Sequence, residues 1–209
     1  MSLTARKECE PRTFAILAGG KSSRFGADKA LAPWFDGNIM DAIISALKPL
    51  SGDLIIVANR SEPYKYLGIP ITKDEIMDSG PMAGLLSCLR HAKGDRVFVA
   101  ACDMPLLKSE LIDWMWNINT WAPVIIPKTP EGLEPLHAIY HRSLTPLIEN
   151  SIRHNRLGLQ GFINDLPRYE VQPEDIARFC PDFSCLASAN TKEELKRLKR
   201  IKLLAGAKK

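Results

Sequence analysis

Short apolar runs alternate with helix-period segments along almost the whole chain, and this alternation restricts the possible folds more than any other feature. TFAIL (13–17), LIIVA (54–58), GIPIT (68–72), RVFVAA (96–101) and PVIIP (123–127) read as strands. Between them, Ile39, Met40, Ile43, Ile44 and Leu47 form one helical stripe, and Met82, Leu85, Leu86 and Leu89 form another. Strands separated by helices imply right-handed βαβ units. The expected fold class is therefore α/β: a single domain with a mainly parallel twisted sheet and helices on both faces. PLHAIYH (135–141) reads as a later strand for which antiparallel pairing is open. No repeat, low-complexity tract or Pro/Gly/Ser-rich linker divides the chain. One domain over 1–209 is expected, with an N-terminal extension of about residues 1–12 and a basic helix and tail at 191–209.

Charge and cysteine usage narrow the function classes. Lys192 to Lys209 holds eight Lys/Arg against two Glu, a local +6 in a chain of net +4, which leaves the body at −2. The body is not a nucleic-acid surface by charge. Thr191-Lys-Glu-Glu194 matches a capping box followed by Leu195, Leu198 and Ile201, so the basic segment is expected to dock as a helix with its charges in water. Cys9, Cys88, Cys102, Cys180 and Cys185 show no C-x-x-C spacing, which speaks for a reducing cytosol and against a disulfide or zinc framework. The first residues lack a signal-peptide core, and no run approaches the ~18 apolar residues of a membrane span. A cytoplasmic protein without membrane or nucleic-acid partners is expected.

LAGGKSSRFGADKAL (17–31) follows the first strand with glycines, serines and cations. Ligands of open α/β sheets bind outside the carboxyl ends of the strands, where successive glycine amides make an anion nest. The P-loop pattern aligned on Gly20-Lys21-Ser22 needs glycine at position 15, which is Ala15, and the G-x-G-x-x-G fingerprint is absent. Taken alone, the stretch is equally a solvated Gly/Ser turn.

Its wider context decides. L-A-G-G-x-S-x-R-x-G-x-D-K-A-L resembles the nucleotide-binding signature of the molybdenum cofactor guanylyltransferases. Asn59 in VANR, Asp74, GPMAGL (80–85), Cys102-Asp103-Met104-Pro105, EPLHAIY (134–140) and Asn190-Thr191 follow in the family's order. The resemblance spans roughly residues 13 to 200 and departs from the family in places. Phe25 stands where methionine is usual, Gly37-Asn38-Ile39-Met40 replaces a Gly-Lys-Pro-Leu-like turn, and Ser188-Ala189-Asn190-Thr191 replaces Asn-x-Asn-Thr. Sugar-nucleotide transferases resemble the same family but show Lys-Pro after the loop, whereas Ala30 follows Lys29 here.

The resemblance implies a Rossmann-like nucleotidyltransferase fold and transfer of GMP from GTP to the phosphate of molybdopterin, releasing pyrophosphate, with Mg²⁺ as cofactor. It assigns Leu17, Ala18, Gly19 and Gly20 to nucleotide contacts, Arg24 to the leaving phosphates and Lys29 to the α-phosphate. It gives Asp103 to the metal and sets Asn59, Asp74 and Gly80 near the nucleotide. Arg156, Ser188 and Asn190 fall on the pterin side. Transient contacts with molybdenum-insertion proteins and molybdoenzymes follow from the same resemblance, and a monomer is expected. The rivals are a CTP-using cytidylyltransferase and a nucleotide-binding regulator that has lost transfer. His137 and His141, four apart on one strand, lack a third ligand at metal spacing and are read as packing or surface residues. Trp114, Trp116 and Trp121 are expected to pack in the core or at its edge.

Overall fold

The computed structural model describes residues 11–19, 28–73 and 80–206. In chain order the strands and helices are β1 (Thr13–Leu17), β2 (Pro33–Trp34), β3 (Gly37–Asn38), α1 (Ile39–Leu47), β4 (Asp53–Val57), β5 (Ile71–Thr72), α2 (Gly80–His91) and β6 (Arg96–Ala101). They continue with α3 (Ser109–Trp116), β7 (Val124–Thr129), β8 (Gly132–Leu133), β9 (His137–His141), α4 (Thr145–Arg153), α5 (Leu159–Asn164), β10 (Tyr169–Val171), α6 (Pro173–Ala177) and α7 (Lys192–Gly206).

The sheet runs β10-β7-β9-β6-β1-β4-β5, with β8 paired to β7. β1 pairs in parallel with both β4 and β6, and β9 runs antiparallel between β6 and β7. After Arg96 and Thr13, RVFVAA and TFAIL are apolar without interruption because helices cover both of their faces. Phe14, Ile16, Phe98 and Ala100 pack with Met40 and Ile43 of α1, Leu111 and Met115 of α3, Ile176 of α6 and Leu198 of α7. Ala15, Val97 and Val99 face the opposite layer, with Leu85 and Leu89 of α2, Ile148 of α4 and Ile163 of α5. Successive side chains along one strand thus feed two separate cores.

Two expectations change in detail, and one departure from the family pattern finds its reason. Of the run 68–72 only Ile71–Thr72 is strand. Gly68 ends a preceding 3-10 turn (Glu62–Leu67) in the left-handed region, at φ 65°, and Pro70 has no N–H to give, although its carbonyl accepts from Ile56. The Gly37-Asn38 departure serves α1: Asn38 accepts from the Asp41 N–H, and the Asp41 carboxylate accepts from the Asn38 N–H, both at 3.0 Å. Trp121 is 85% exposed, contrary to its expected packing, whereas Trp116 is buried with the Arg12 and Arg96 guanidiniums over its ring. At the other end of the chain, the Glu194 N–H donates to the Thr191 hydroxyl, and the Glu194 carboxylate accepts from the Thr191 N–H. This box starts α7, which buries Leu195 and Leu198 and leaves Leu203 and Leu204 in solvent. Among the described residues no helix is long and apolar enough to cross a membrane.

The turn entering β4 tests this packing. The Asp53 N–H donates to the Arg12 carbonyl, and a Cβ on Gly52 would lie 2.7 Å from that oxygen and 2.5 Å from the Phe14 ring. Gly52→Ala should cost about 1–3 kcal/mol, since backbone must shift to admit the methyl. Gly161→Ala, which meets nothing within 4 Å inside α5, should be neutral or stabilising. Urea denaturation of the two variants checks both statements.

Candidate active site

Parallel pairing brings the carboxyl ends of β1, β4 and β6 to one edge, where backbone bonds lace them together. The Ala18 N–H donates to the Val57 carbonyl at 2.8 Å, Ala58 to Thr72 at 2.9 Å, and Cys102 to Leu17 at 3.1 Å. Ala101 donates to Leu136 at 3.0 Å, which adds the start of β9 to the same edge. The Leu17 carbonyl and the Ala18 N–H are therefore already engaged in closing the sheet. Gly19 lies beyond them, exposed, with open space where a side chain would stand.

Lys29 opens a 3-10 turn (Lys29–Leu31) capped by Asp28, whose carboxylate accepts from the Ala30 N–H at 3.1 Å. The Lys29 ammonium donates to Asn190 Oδ1 at 2.7 Å and lies 3.5 Å from Asp103 Oδ2. The Ala189 N–H donates to the Asp103 carbonyl at 2.8 Å, and the Glu194 carboxylate accepts from the Asn190 N–H at 2.7 Å. Residues 161 positions apart in sequence are thus held in one hydrogen-bonded group. Asp103 Oδ1 is buried and has no hydrogen-bond partner among the described residues. A carboxylate oxygen left open in this way suits a hard divalent cation, which takes oxygen ligands.

Among the side chains at this edge, Cys102 is poorly suited to act as a nucleophile. The Cys102 thiol is pushed up to about 12, first by burial and then by the Asp103 and Asp28 carboxylates. It stays protonated at neutral pH, and a thiol without thiolate character is a poor nucleophile. The arrangement can instead bind anions through Lys29 and a cation through Asp103, which suits displacement at phosphorus.

Of the expected site residues, Lys29, Asp103 and Asn190 are in one network, and Ser188 precedes the Ala189 bond to Asp103. Asn59 follows β4 at the same edge. Gly80 opens α2 at φ 57°, a conformation that favours glycine. Arg156 is exposed in the α4–α5 connection, its N–H bonded to the Ser151 carbonyl. Gly20, Arg24 and Asp74 lie outside the described residues, as do Cys9 and Phe25. Sequence reasoning missed Asp28 and Tyr64, whose hydroxyl donates to Asp28 Oδ2 at 2.6 Å. Asp28 stood within the quoted DKAL motif, but nothing local connected it to a tyrosine 36 residues away.

A model of the MobA-like NTP transferase domain matches residues 14–169, three quarters of the chain. The curated "Probable molybdenum cofactor guanylyltransferase" of Carboxydothermus hydrogenoformans is 34% identical over 196 residues, covering 90% of this chain and 95% of the relative. The "Molybdenum cofactor guanylyltransferase" of Desulfosudis oleivorans is 32% identical over 189 residues, covering 88% and 93%. Among solved structures, molybdopterin-guanine dinucleotide biosynthesis protein A from Archaeoglobus fulgidus superposes with a TM-score of 0.79 at 24% identity, over 90% of this chain and 97% of that one, a likeness of fold.

The histidines of β9 part company. His141 accepts from the Ser143 N–H at 3.1 Å and caps a short turn, whereas His137 is fully buried with its ring edge-on to Phe98 at 5.0 Å. No cluster of three metal-ligating side chains occurs among the described residues. Neither His137 ring nitrogen has a hydrogen-bond partner there, and burial pushes its pKa down to about 3. The folded state resists a proton that the unfolded chain accepts below the ordinary value of 6.5. Stability attributable to His137 is therefore full above pH 6.5 and is lost as pH falls. The loss amounts to about 2 kcal/mol between pH 7 and pH 5. Urea denaturation of the wild type and His137→Leu at both pH values should show this difference in slope. Parallel pH dependence in the two proteins contradicts it.

Proposed function

This chain belongs to the MobA-like NTP transferase family, and from that premise we propose that it transfers GMP from GTP to the phosphate of molybdopterin, forming the guanine dinucleotide and pyrophosphate. The observation that carries the reading is the Lys29–Asp103–Asn190 group at the carboxyl edge of the sheet, with one Asp103 oxygen buried and open. The relatives named above supply the guanylyl and molybdenum-cofactor terms.

The chemistry asks for positioning and charge rather than a base. A phosphate monoester has a second pKa of about 6, so the attacking group is already largely dianionic at pH 7. The difficulty lies in bringing that dianion to a triphosphate and stabilising charge on the departing pyrophosphate. Leu17, Ala18, Gly19 and Gly20 lie against the nucleotide, with Asn59, Asp74 and Gly80 around the nucleoside. The Ala18 N–H and Leu17 carbonyl are tied into the sheet, so these contacts fall to the remaining backbone groups of the segment. Lys29 meets the α-phosphate and Arg24 the leaving phosphates. Asp103 would hold a Mg²⁺ ion, which supplies Lewis-acid neutralisation of the phosphate oxygens. Ser188, Asn190 and Arg156 face the pterin phosphate; Asn190, already bonded to Lys29, stands where acceptor and donor meet. The chain acts as one transferase unit over 1–209 and as a monomer. Molybdenum-insertion proteins and molybdoenzymes are transient partners in the reducing cytoplasm.

Pyrophosphate release with molybdopterin and each of GTP, CTP, ATP and UTP tests the reading. GTP should exceed CTP in kcat/KM by about one to two powers of ten, because each buried polar group left unpaired by the wrong base costs about 1–3 kcal/mol. Equal or better turnover with CTP makes the chain a cytidylyltransferase, and nucleotide binding without pyrophosphate release makes it a regulator. Asp103→Asn should fold normally, lose most turnover and require more Mg²⁺. Lys29→Ala should lose about 10²–10³ in kcat.

A further inference from the structure

Asp28 is an anion beside the very lysine that the proposed reaction needs. It is the residue before Lys29, and its carboxylate lies close enough to Cys102 to act on that thiol together with Asp103 and Lys29. An ammonium with two carboxylates in its neighbourhood can pair with either, and hydrogen bonds that fix one carboxylate elsewhere favour the other. Here the Lys29 ammonium bonds to Asn190 and lies 3.5 Å from Asp103, and it does not bond to the carboxylate of its own neighbour in the chain.

The reason is visible in how Asp28 is spent. Oδ1 accepts from the Ala30 N–H and fixes the turn, while Oδ2 accepts from the Tyr64 hydroxyl at 2.6 Å, the length of a charge-assisted bond. Tyr64 is 2% exposed and sits in the 3-10 turn after Asn59, so its ring cannot swing away from Asp28 without repacking the core. Two residues on, the Tyr66 hydroxyl accepts from the Asn38 amide at 2.8 Å and ties the same turn to the head of α1. Burial, and the charge of Asp28 next to it, hold the Tyr64 hydroxyl protonated far above neutral pH, so it is a permanent donor.

We infer that Tyr64 is a positioning residue for Lys29: by occupying Asp28, its hydroxyl keeps that carboxylate from capturing the ammonium and leaves Lys29 directed at the phosphates. This rests on the role given to Lys29 above. Without the hydroxyl, Asp28 Oδ2 loses its partner and becomes a competing anion within the turn that carries Lys29.

The test is a mutant set in the full-length protein, read as kcat and KM for GTP in the pyrophosphate assay, with thermal unfolding as a check on the fold. Tyr64→Phe should remain folded and lose about tenfold in kcat with KM for GTP within about twofold, since the interaction is strongest where charge develops. Asp28→Asn removes the competing charge while asparagine still caps the turn. In the Tyr64→Phe background it should therefore restore about threefold or more of the lost kcat. A merely structural role for the tyrosine predicts the reverse, a second loss on top of the first. Full kcat in Tyr64→Phe, or further loss in the double variant, overturns the inference while leaving Lys29 in place, provided Lys29→Ala is impaired. A Lys29→Ala variant that turns over like the wild type overturns the assignment of Lys29 itself, and this inference with it.

Discussion

Parallel pairing of β1 with both β4 and β6 is the constraint on which the rest depends. It obliges three chain segments that are far apart in sequence to end at the same edge. The bonds from Ala18 to Val57 and from Cys102 to Leu17 continue the ladder one residue past the strands. Segments 17–19 and 102–103 therefore leave the sheet from fixed positions. Burial of both faces enforces the register, because a one-residue slip would exchange Phe14 and Ile16 with Ala15 between two differently shaped cores.

On that frame the charges form a chain of dependencies. Tyr64 occupies Asp28, Asp28 caps the turn of Lys29, and Lys29 bridges Asp103 and Asn190. The segment carrying Asn190 is itself anchored by the Ala189 bond to Asp103 and by Glu194 at the head of α7. The C-terminal helix thus does more than cover the core: its capping carboxylate holds Asn190 at the ammonium. In the proposed reaction Lys29 would meet the triphosphate and Asp103 would hold its cation. Half-buried charges that already have partners cost less to keep in place before the substrate arrives.

Much of this was legible in the sequence because it follows from local pattern. The α/β alternation, the stripes of α1 and α2 and the Thr191 capping box depend on spacing within one or two turns of chain. The grouping of Lys29 with Asp103 was legible only through a motif order resembling a family, since nothing in the spacing of residues 29 and 103 brings them together. Asp28–Tyr64 was hidden for the same reason, being a contact between two turns set by where β1 and β4 end. The run 68–72 was misread as a full strand because its apolar residues outweighed Gly68 and Pro70, which shorten it to two residues. Trp121 was misread because aromatic character alone does not say which side of a surface loop faces the protein.

The most direct test of the account is the fate of the α-phosphate. The enzyme should be incubated with molybdopterin, Mg²⁺ and GTP labelled at either the α or the γ position, and the products separated. Direct transfer places α-label in the pterin dinucleotide, γ-label in pyrophosphate and none on the protein. Retention of α-label on the protein, or its appearance only in free GMP, would contradict direct transfer at the Lys29–Asp103 site.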